Sequence, residues 1–381
     1  MAGISGSERY LLNILPELKK RGLDVSFLLL QHPFSSKKNA EFIGFLKSSQ
    51  VQVFTINAYF SISPLLLIKI FYLIKKHNFN ILHTNLIHAD FLGALIKRFF
   101  IRSIKILSTK HGYTEQFQAE HGFDCSKLTH DSFFIVSRWA AKQADSVVCI
   151  SRSLENFYKT SSIVDQKKIS TIPYGFDFSY QPSYENLAKY NFGNPQLIVT
   201  GRLEPVKQHN LFLNILPKLK LLFPDLSVVM VGDGSLMEEL KHICLEMNIH
   251  DFVHWVGFQD NVHPYISNSD LMVVPSRSEG FGLVILEAWF HAKPVVAFDV
   301  PAISDIVDNK QDGILIEPFS TEKLLDALSA ILSDRKIMHQ YGKNGQIKQQ
   351  DLYAKNAMVS LTIKKLQSLI EKDFNTITKY N

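Results

Sequence analysis

Cysteine is scarce in this 381-residue chain, where Cys125, Cys149 and Cys244 lie far apart in the sequence. An odd number at such spacing excludes a disulfide framework and a cysteine metal cluster, and it favours a reducing compartment. Long hydrophobic runs are also lacking. No window of about 18 uncharged apolar residues exists, so no spanning helix is predicted. The first apolar segment, residues 10–15, is too short for a signal peptide. We therefore expect a cytoplasmic protein.

Several motifs of nucleotide and hydrolytic chemistry are absent from the sequence. It has no Asp-x-Asp pair of the kind that holds a cation in metal-dependent sugar-nucleotide enzymes. It has no GxxxxGK[ST] motif, which argues against a P-loop nucleotidase, and no G-x-G-x-x-G follows a strand. It also lacks a G-x-S-x-G nucleophile elbow. We therefore expect no metal and no other cofactor.

Short apolar segments rich in Val, Ile and Leu alternate with longer helical patterns along the whole chain. Twelve of them have the composition of strands buried on both faces: 25–30, 51–56, 81–84, 104–110, 146–151, 169–173, 196–201, 226–232, 252–257, 271–276, 294–298 and 313–318. Such strands, separated by helices, predict parallel sheets covered on both sides. Two series of them predict an α/β protein with two tandem Rossmann-like, doubly wound domains.

A polar, proline-bearing stretch over about 180–195 separates the two series. We predict an N-terminal domain over 1–188, a C-terminal domain over 189–354, and a final helix within 355–381 that packs back across the junction. The first 190 residues carry 23 Lys and Arg against 14 Asp and Glu, whereas the remainder carry 18 against 22. A basic half is suited to anionic lipid or phosphorylated substrates, and no recognised module points to nucleic acid.

The most informative stretch is VVPSRSEGFGLVILEAWFHAKPVVAF, residues 273–298. It predicts a strand, a polar loop, and a helix that begins near Gly282. The free amides of a first helical turn attract phosphate at the carboxyl end of a sheet. Glu279 precedes the helix and Glu287 lies about a turn and a half into it, where carboxylates suit paired sugar hydroxyls. On spacing alone, a helix cap at Glu279 and a solvated position at Glu287 are equally good interpretations.

A second stretch, VTGRLEPVKQHNLFL, covers residues 199–213 and predicts the first strand, loop and helix of the second domain. Arg202 and Lys207 follow the strand, and two cations there suit a diphosphate, with Arg202 able to bind it bidentately. Their alternative is a pair of ordinary surface cations. VGDGS at 231–235 is another turn at a strand end, for which a simple tight turn is the alternative.

Two features of the first domain are less specific. STKHGYTEQ, residues 108–116, places His111 at the carboxyl end of a strand, where a structural loop histidine is the commoner interpretation. The opening residues 1–8 predict a small loop before a helix over 10–21. Gly6 in that loop lets a backbone approach a ligand closely.

Together these motifs resemble those of a retaining glycosyltransferase of family 4 (glycosyl transferases group 1), which has the GT-B architecture. SEGFGLVILEA is similar to the family's E-x7-E signature, and GRLEPVKQHN to its G-R-L-x-x-x-K segment. IPYGFD resembles an N-G-[VI]-D element, VGDGS the turn before the nucleotide base, and SGSERYLLNILPELKKRG the opening loop and helix. The likeness covers nearly the whole chain.

The resemblance implies two domains that face each other across a cleft, with the donor mainly on the second and the acceptor on the first. The residues implied to bind the donor diphosphate are Arg202, Lys207, Gly6, Gly280, Phe281, Gly282 and Leu283. The residues implied at the donor sugar are Glu279 and His111. The residue implied at the ribose is Glu287, and those implied beside the base are Gly232 and Phe258.

The implied reaction transfers a hexose from a nucleotide sugar to an acceptor hydroxyl with retention of anomeric configuration. The acceptor attacks from the side of the leaving group, and a β-phosphate oxygen takes its proton. A UDP-sugar and GDP-mannose are both open as donors, and cell-surface polysaccharide or glycolipid synthesis is the expected setting. Some positions depart from the family: Ser5 and Ala292 replace glycines, and PAISD at 301–305 replaces a Gly-Gly-x-x-Glu element.

The acceptor is expected to be a glycan or a lipid-linked molecule. Residues 65–79 and 91–107 combine apolar side chains with Lys and Arg. Such a basic, amphipathic surface suits peripheral contact with anionic lipid at the inner face of the cytoplasmic membrane. Ordinary packing helices with solvated ends are the alternative.

Two other functions stay open. Sugar-nucleotide epimerases share this architecture, although the combined cation and glutamate motifs argue against them. An inactive, truncated binding protein is the other candidate, because members of such families begin with a strand ahead of the opening loop. In a doubly wound sheet that strand is central, and its loss exposes the edges of two neighbours. We therefore expect the natural chain to begin earlier, or the first domain to be the less stable one.

Overall fold

A computed structural model of the chain describes residues 6–31, 40–58, 62–128, 132–177 and 187–377. The chain divides into two compact units. The first unit contains Met1–Gly112, Asp124–Phe176 and Lys355–Asn381, and the second contains Tyr113–Phe123 and Asp177–Ala354. After the first series of strands the chain thus changes unit at Phe176, whereas the sequence-based domain limit is residue 188.

All twelve predicted strands are present, each within two residues of its predicted ends. They are β1 (Ser26–Gln31), β2 (Gln52–Asn57), β3 (Ile81–Thr84), β4 (Lys105–Lys110), β5 (Ser146–Cys149), β6 (Ile169–Thr171), β7 (Gln196–Thr200), β8 (Ser227–Val231), β9 (Val253–Gly257), β10 (Leu271–Val274), β11 (Val295–Phe298) and β12 (Gly313–Ile316). Their pairings are parallel, which confirms the predicted α/β fold class.

Helices occupy most of the remaining described chain. They are α1 (Gly6–Lys20), α2 (Ala40–Ser48), α3 (Pro64–His77), α4 (Ile87–Phe99), α5 (Glu115–His121), α6 (Ser132–Gln143), α7 (Arg152–Thr160), α8 (His209–Leu213), α9 (Leu216–Leu222), α10 (Met237–Glu246), α11 (His263–Asn268), α12 (Leu283–Phe290), α13 (Thr321–Ser333), α14 (Arg335–Leu352) and α15 (Lys355–Ile377). Within the described ranges, none of them is long and apolar enough to cross a membrane.

The second unit contains one six-stranded sheet with the order β12-β11-β10-β7-β8-β9. The chain enters in the middle at β7, moves outward through β8 and β9, and then returns to the other side of β7 at β10. Strands β8, β10 and β11 are buried along their whole length. In such a sheet the strand order reverses between β7 and β10, and ligands bind beyond the carboxyl ends of these two strands.

The strands of the first unit lie in two sheets, one with the order β1-β2 and the other with the order β3-β4-β5-β6. In the second unit β7 pairs with both β8 and β10. By their place in the series, β1 and β3 of the first unit correspond to β8 and β10 of the second. Among the described residues, no strand of the first unit pairs with both β1 and β3. The part of the chain described ahead of β1 is the helix α1.

The opening segment differs from its prediction in one respect. Gly6 is the first residue of α1, whereas the sequence places it in a loop that extends to Glu8. The early start has a simple reason, because Glu8 stands in the first turn, where a carboxylate favours the helix dipole. Residues 1–5 of the predicted loop lie outside the described residues.

Helix α1 packs against α15, the last helix of the chain, within the first unit. The Arg21 guanidinium donates to Ser360 Oγ at 2.8 Å and to Asn356 Oδ1 at 2.9 Å. The Lys355 ammonium lies 3.5 Å from Glu17 Oε1. These polar contacts at the end of α1 fix the first helix on the last one.

Candidate active site

The loops that follow β7 and β10 meet in the second unit, and they contain the two most informative sequence stretches. The Arg277 amide donates to the Val206 carbonyl at 2.8 Å and so ties the two loops together. The Lys207 ammonium lies 2.6 Å from Glu279 Oε1. The Ser276 hydroxyl donates to the same oxygen at 2.8 Å. Two residues that the sequence assigns to one ligand therefore form one charged cluster.

The Lys207–Glu279 pair is largely withdrawn from solvent, since only 18% and 12% of the two side chains are exposed. In the sequence-based model both residues contact a donor, and their contact with each other is not anticipated. The pair has a clear electrostatic consequence. Lys207 neutralises a carboxylate that would otherwise repel a diphosphate, while Arg202 adds a cation in the same loop.

The loop after β7 is interlocked with the turn after β8. The Leu203 amide donates to the Asp233 carbonyl at 3.0 Å. Glu204 accepts from the Ser235 amide at 3.0 Å and from its hydroxyl at 2.7 Å. These bonds from Ser235, and to a lesser degree the charge of Arg202, lower the pKa of Glu204. The loop that holds Arg202 is therefore fixed at its base.

Gly232 allows this interlocking. Its φ is +148°, and a Cβ placed on it would lie 1.8 Å from the Gly201 carbonyl oxygen. Only glycine permits so close an approach of two backbones. Its amide also donates to the Gly257 carbonyl at 2.9 Å, next to Phe258, whose side chain is 45% exposed. The two positions predicted beside the base thus adjoin each other, and their contact with a base stays a prediction.

Helix α12 begins directly after a glycine with left-handed backbone. Gly282 has a φ of +93° and offers no side chain to cap the first amides of the helix. The ring of Phe281 is buried and packs edge-on against Tyr353 at 5.9 Å, which fixes the loop from within. The amides near Gly280 and Leu283 are thus presented by a rigid turn.

Glu287 lies on α12 and is 3% exposed. The solvated position considered from the sequence is therefore wrong, because this helix packs against β10, α11 and α14. The fully buried Trp289 donates from its indole to the Asp312 carbonyl at 3.0 Å. Gly345 of α14 faces it so closely that a Cβ there would lie 2.2 Å from the indole ring. Such packing holds the helix in one position.

Three further polar groups in or next to these loops are buried and have no hydrogen-bond partner among the residues that the structure describes. They are Thr200 Oγ1, His209 Nδ1 and Ser278 Oγ. Burial, and then the charge of Lys207, lower the pKa of His209 to about 4, so its ring is neutral at physiological pH. The sequence reasoning missed all three, although each lies within one of the two highlighted stretches.

The first unit contains a separate cluster around His111, at the carboxyl end of β4. Its Nδ1 is hydrogen-bonded to the Tyr174 hydroxyl, and its Nε2 lies 3.1 Å from Asn85 Oδ1. The ring of Tyr10 lies 5.1 Å from that of His111 and stacks on Tyr174 at 5.6 Å. Tyr10 is one turn beyond Gly6, so α1 contributes directly to this cluster.

Protonation follows from these contacts. Burial lowers the pKa of His111 to about 3, and the charges of His83 and Lys110 act in the same direction. Asn85 Oδ1 can only accept a hydrogen bond, so Nε2 carries the ring hydrogen and donates to it. Nδ1 then accepts from the Tyr174 hydroxyl, which stays protonated because burial raises its pKa well above its usual value. His111 is therefore a neutral imidazole held in one tautomer.

A buried ion pair lies one residue before this histidine. The Lys110 ammonium is 2.5 Å from Asp90 Oδ2, and the two side chains are only 5% and 4% exposed. Asp90 Oδ1 accepts from the hydroxyls of Ser108 at 2.7 Å and Thr84 at 2.5 Å. The sequence analysis does not identify Asp90, Asn85 or Tyr174 as site residues.

Two expectations about the site remain predictions. A Cβ placed on Gly6 would have no other atom within 4 Å, so the space beside this residue is open. The contact of Gly6 with phosphate stays a prediction. Among the described residues no group of three His, Cys, Asp or Glu side chains is arranged to hold a metal ion.

The sequence matches two family models, one for each half of the chain. Residues 4–180 match Glycosyltransferase Family 4, and residues 185–348 match Glycosyl transferases group 1. All strands of the first unit lie within the first match. The loops after β7 and β10 lie within the second.

Curated relatives and solved structures are similar over most of the chain. The UDP-Gal:alpha-D-GlcNAc-diphosphoundecaprenol alpha-1,3-galactosyltransferase of Escherichia coli is 27% identical over 292 residues, which are 73% of this chain and 72% of the relative. The N-acetyl-alpha-D-glucosaminyl L-malate synthase of Bacillus anthracis is 26% identical over 94% of this chain and 91% of its own. The structure of Anabaena HepE in complex with UDP superposes with a TM-score of 0.78 at 20% identity, covering 97% and 98% of the two chains.

Proposed function

Because the chain belongs to the GT-B glycosyltransferases that these two family models describe, we propose that it transfers a hexose from a nucleotide-diphosphate sugar to an acceptor hydroxyl. We propose retention of anomeric configuration and no requirement for a metal ion. The observation that carries the proposal is the Lys207–Glu279 pair, with Arg202 in the same loop as Lys207, beyond the carboxyl ends of β7 and β10.

Each part of the donor has a candidate partner in the second unit. Arg202, Lys207 and the amides from Gly280 to Leu283 would bind the diphosphate, since cations and free helix amides stabilise phosphate charge. Glu287 would accept from the ribose hydroxyls. Phe258 would lie against the base, for which an exposed aromatic ring is suited.

Transfer breaks the bond between the anomeric carbon and the β-phosphate oxygen. The acceptor oxygen forms the new bond on the same face, and its proton passes to a β-phosphate oxygen of the departing nucleoside diphosphate. The developing negative charge is the main barrier, and fixed cations and amides lower it without a metal. Glu279 is proposed to contact the donor sugar, as is His111, whose neutral ring can hydrogen-bond to a sugar without adding charge.

The comparisons support UDP-sugars as the first donors to test, with GDP-mannose second. The Escherichia coli relative is named for UDP-Gal and for a diphosphoundecaprenol acceptor, and HepE was solved with UDP. We therefore propose a role in the synthesis of a cell-surface polysaccharide or glycolipid. The three cysteines are all unpaired, which is consistent with action in the cytoplasm.

A thermal-shift panel of UDP, GDP, ADP, UDP-glucose, UDP-galactose, UDP-N-acetylglucosamine and GDP-mannose tests donor binding. A ligand at about 100 times its Kd stabilises the folded state by about 2.7 kcal/mol. One nucleotide class should stand out, and the Lys207→Ala variant should lose the shift while Lys218→Ala, an exposed lysine of the same unit, retains it. If no nucleotide stabilises the protein, the proposal is wrong.

Product analysis then separates transfer from its alternatives. With a saccharide or lipid-linked acceptor, chromatography should detect free nucleoside diphosphate in proportion to the new glycoside. Activity should persist after treatment with a chelator. Interconversion of two nucleotide sugars without release of diphosphate would indicate an epimerase instead. Binding without any turnover across the acceptor panel would indicate a binding protein.

A further inference from the structure

Helix α3 of the first unit is apolar on two opposite faces. Leu66, Ile70 and Ile74 are buried and pack against α4 and the residues that follow it. The opposite face consists of Leu65, Ile68 and Tyr72, which are 62%, 42% and 67% exposed. Their spacing of three and four residues places them in one stripe along the helix. The fold therefore needs only one of the two apolar faces.

The end of α4 extends this exposed surface. Phe99 and Phe100 are 68% and 40% exposed. Phe71 contacts Phe100 at 5.6 Å and Tyr72 at 5.6 Å, so the two exposed groups adjoin through one shared ring. We call the residues Leu65, Ile68, Tyr72, Phe99 and Phe100 the α3–α4 patch. Contiguous apolar surface of this kind marks an interaction site more often than a single exposed side chain does.

The charged residues of the segment that contains the patch are nearly all cations. Residues 62–105 contain seven cations: Lys69, Lys75, Lys76, Lys97, Arg98, Arg102 and Lys105. Their one carboxylate, Asp90, is buried against Lys110 and presents no charge at the surface. Lys69 and Lys76 lie on the same side of α3 as the exposed stripe. Arg98 lies over the Phe99 ring at 5.8 Å. Lys97 is paired with Asp145, whereas Lys69, Lys75 and Lys76 are exposed. A surface that joins apolar rings to such exposed positive charge is complementary to anionic lipid.

We propose that the α3–α4 patch docks the protein on an anionic lipid surface, with α3 lying in the plane of the interface. The rings and aliphatic side chains would enter the boundary between headgroups and acyl chains, and the lysines would contact the headgroups. Tyr72 suits this position because its ring is apolar and its hydroxyl is polar. The inference goes beyond the proposed sugar transfer, and it is tested without any turnover.

The test is co-sedimentation of the full chain with vesicles of phosphatidylglycerol and phosphatidylcholine, compared with vesicles of phosphatidylcholine alone. The protein should bind the anionic vesicles. Raising the salt from about 0.05 M to about 0.5 M should weaken binding, since headgroup charge is then screened. Equal binding to both vesicle types, or no binding to either, overturns the proposal.

Two variants assign the binding to the patch. Combined Leu65→Ser, Ile68→Ser and Tyr72→Ser should reduce the partition coefficient more than tenfold, while circular dichroism remains unchanged because these side chains are exposed. Combined Lys69→Gln and Lys76→Gln should reduce it about fivefold for each lysine removed. The apolar variant has a matched control in Leu221→Ser with Leu222→Ser, two exposed leucines of the second unit. The lysine variant has one in Lys218→Gln with Lys241→Gln.

A second copy of this chain is the competing occupant of the patch. Light scattering at the concentrations used for sedimentation should give a monomer mass without vesicles. A dimer that the serine variant dissociates would make the patch a contact between copies and would overturn the proposal. A control variant that weakens vesicle binding as much as the patch variant would also overturn it.

Discussion

The two units contain similar elements, but their sheets are organised differently. In the second unit β7 joins β8 and β10 in one continuous six-stranded sheet. In the first unit the two-stranded and four-stranded sheets share no strand among the described residues. The site of the second unit lies in loops whose backbone is fixed by the ends of paired strands. The cluster of the first unit rests on side chains, through a buried ion pair and hydrogen bonds to His111. Substitutions should therefore impair the two sites by different routes. In the second unit they act through the loop backbone, and in the first they act through a lost side-chain partner.

The largest effect is expected where the first unit depends on its buried ion pair. Asp90→Ala leaves the Lys110 ammonium buried without its partner, and breaking such a pair costs about 3–5 kcal/mol. Calorimetry should show a transition of the first unit that moves to lower temperature, while the transition of the second unit stays in place. In the unmodified protein we expect the first unit to unfold first, because short divided sheets are less stable.

The control for Asp90 is Glu317→Ala, which removes an exposed carboxylate beside Lys323. Solvent screens that pair, so unfolding should be unchanged. A single transition that shifts as a whole in the Asp90 variant would contradict the independence of the two units.

The next largest effect concerns the charge pair of the second unit. Lys207→Ala should lower kcat by about 10²–10³-fold, which is the usual loss when one group that stabilises developing charge is removed. Part of this loss would come from Glu279, whose charge would then face the donor phosphate without compensation. Steady-state kinetics of Lys207→Ala, Glu279→Gln and the double variant separate the two contributions. Strict additivity of the two losses would show that the pair does not act as a unit.

A third prediction compares one glycine from each unit. Gly232→Ala inserts a methyl group against the Gly201 carbonyl, and overpacking of this kind costs about 1–3 kcal/mol. Gly6→Ala adds a methyl group to open space at the start of a helix and should not lower stability, because alanine favours a helix more than glycine does. Chemical denaturation measures both variants. If Gly6→Ala is fully stable but impairs nucleotide binding, the backbone of Gly6 contacts the donor. Equal destabilisation by the two substitutions would contradict the expected difference between Gly232 and Gly6.

The sequence predicts the second unit's site better than the first unit's cluster, for a physical reason. Arg202, Lys207, Glu279 and Glu287 lie in two short stretches that follow strands, and parallel strands bring such loops to one edge. Even there the contact between Lys207 and Glu279 joins residues 72 positions apart, which no local pattern encodes. The packing of α12 against α14, which is remote in the sequence, is likewise not encoded locally.

The first unit shows the limit more clearly. Its strands follow from composition, because segments of buried Val, Ile and Leu have a local signature. Asp90 looks like an ordinary acidic residue in the first turn of α4. Asn85 and Tyr174 are common residues at a strand end and in a loop. Each becomes significant only through a partner from another segment, and one sequence does not specify such pairs.

The smallest effect at neutral pH concerns the protonation of His111. Its native pKa of about 3 lies below the usual 6.5, so the unfolded chain binds the proton more readily. The neutral ring therefore stabilises the fold above about pH 6.5, and this contribution falls by about 1.4 kcal/mol per unit as the pH drops toward 3. Activity should show no titration of this group between pH 5 and 8. Asn85→Asp places a carboxylate near Nε2, which raises the pKa of His111 and should introduce an acid step into the profile of kcat/KM. Asn80→Asp, an exposed change in the same unit, should leave the profile flat. An unchanged profile in both variants would mean that His111 does not contact the reacting sugar.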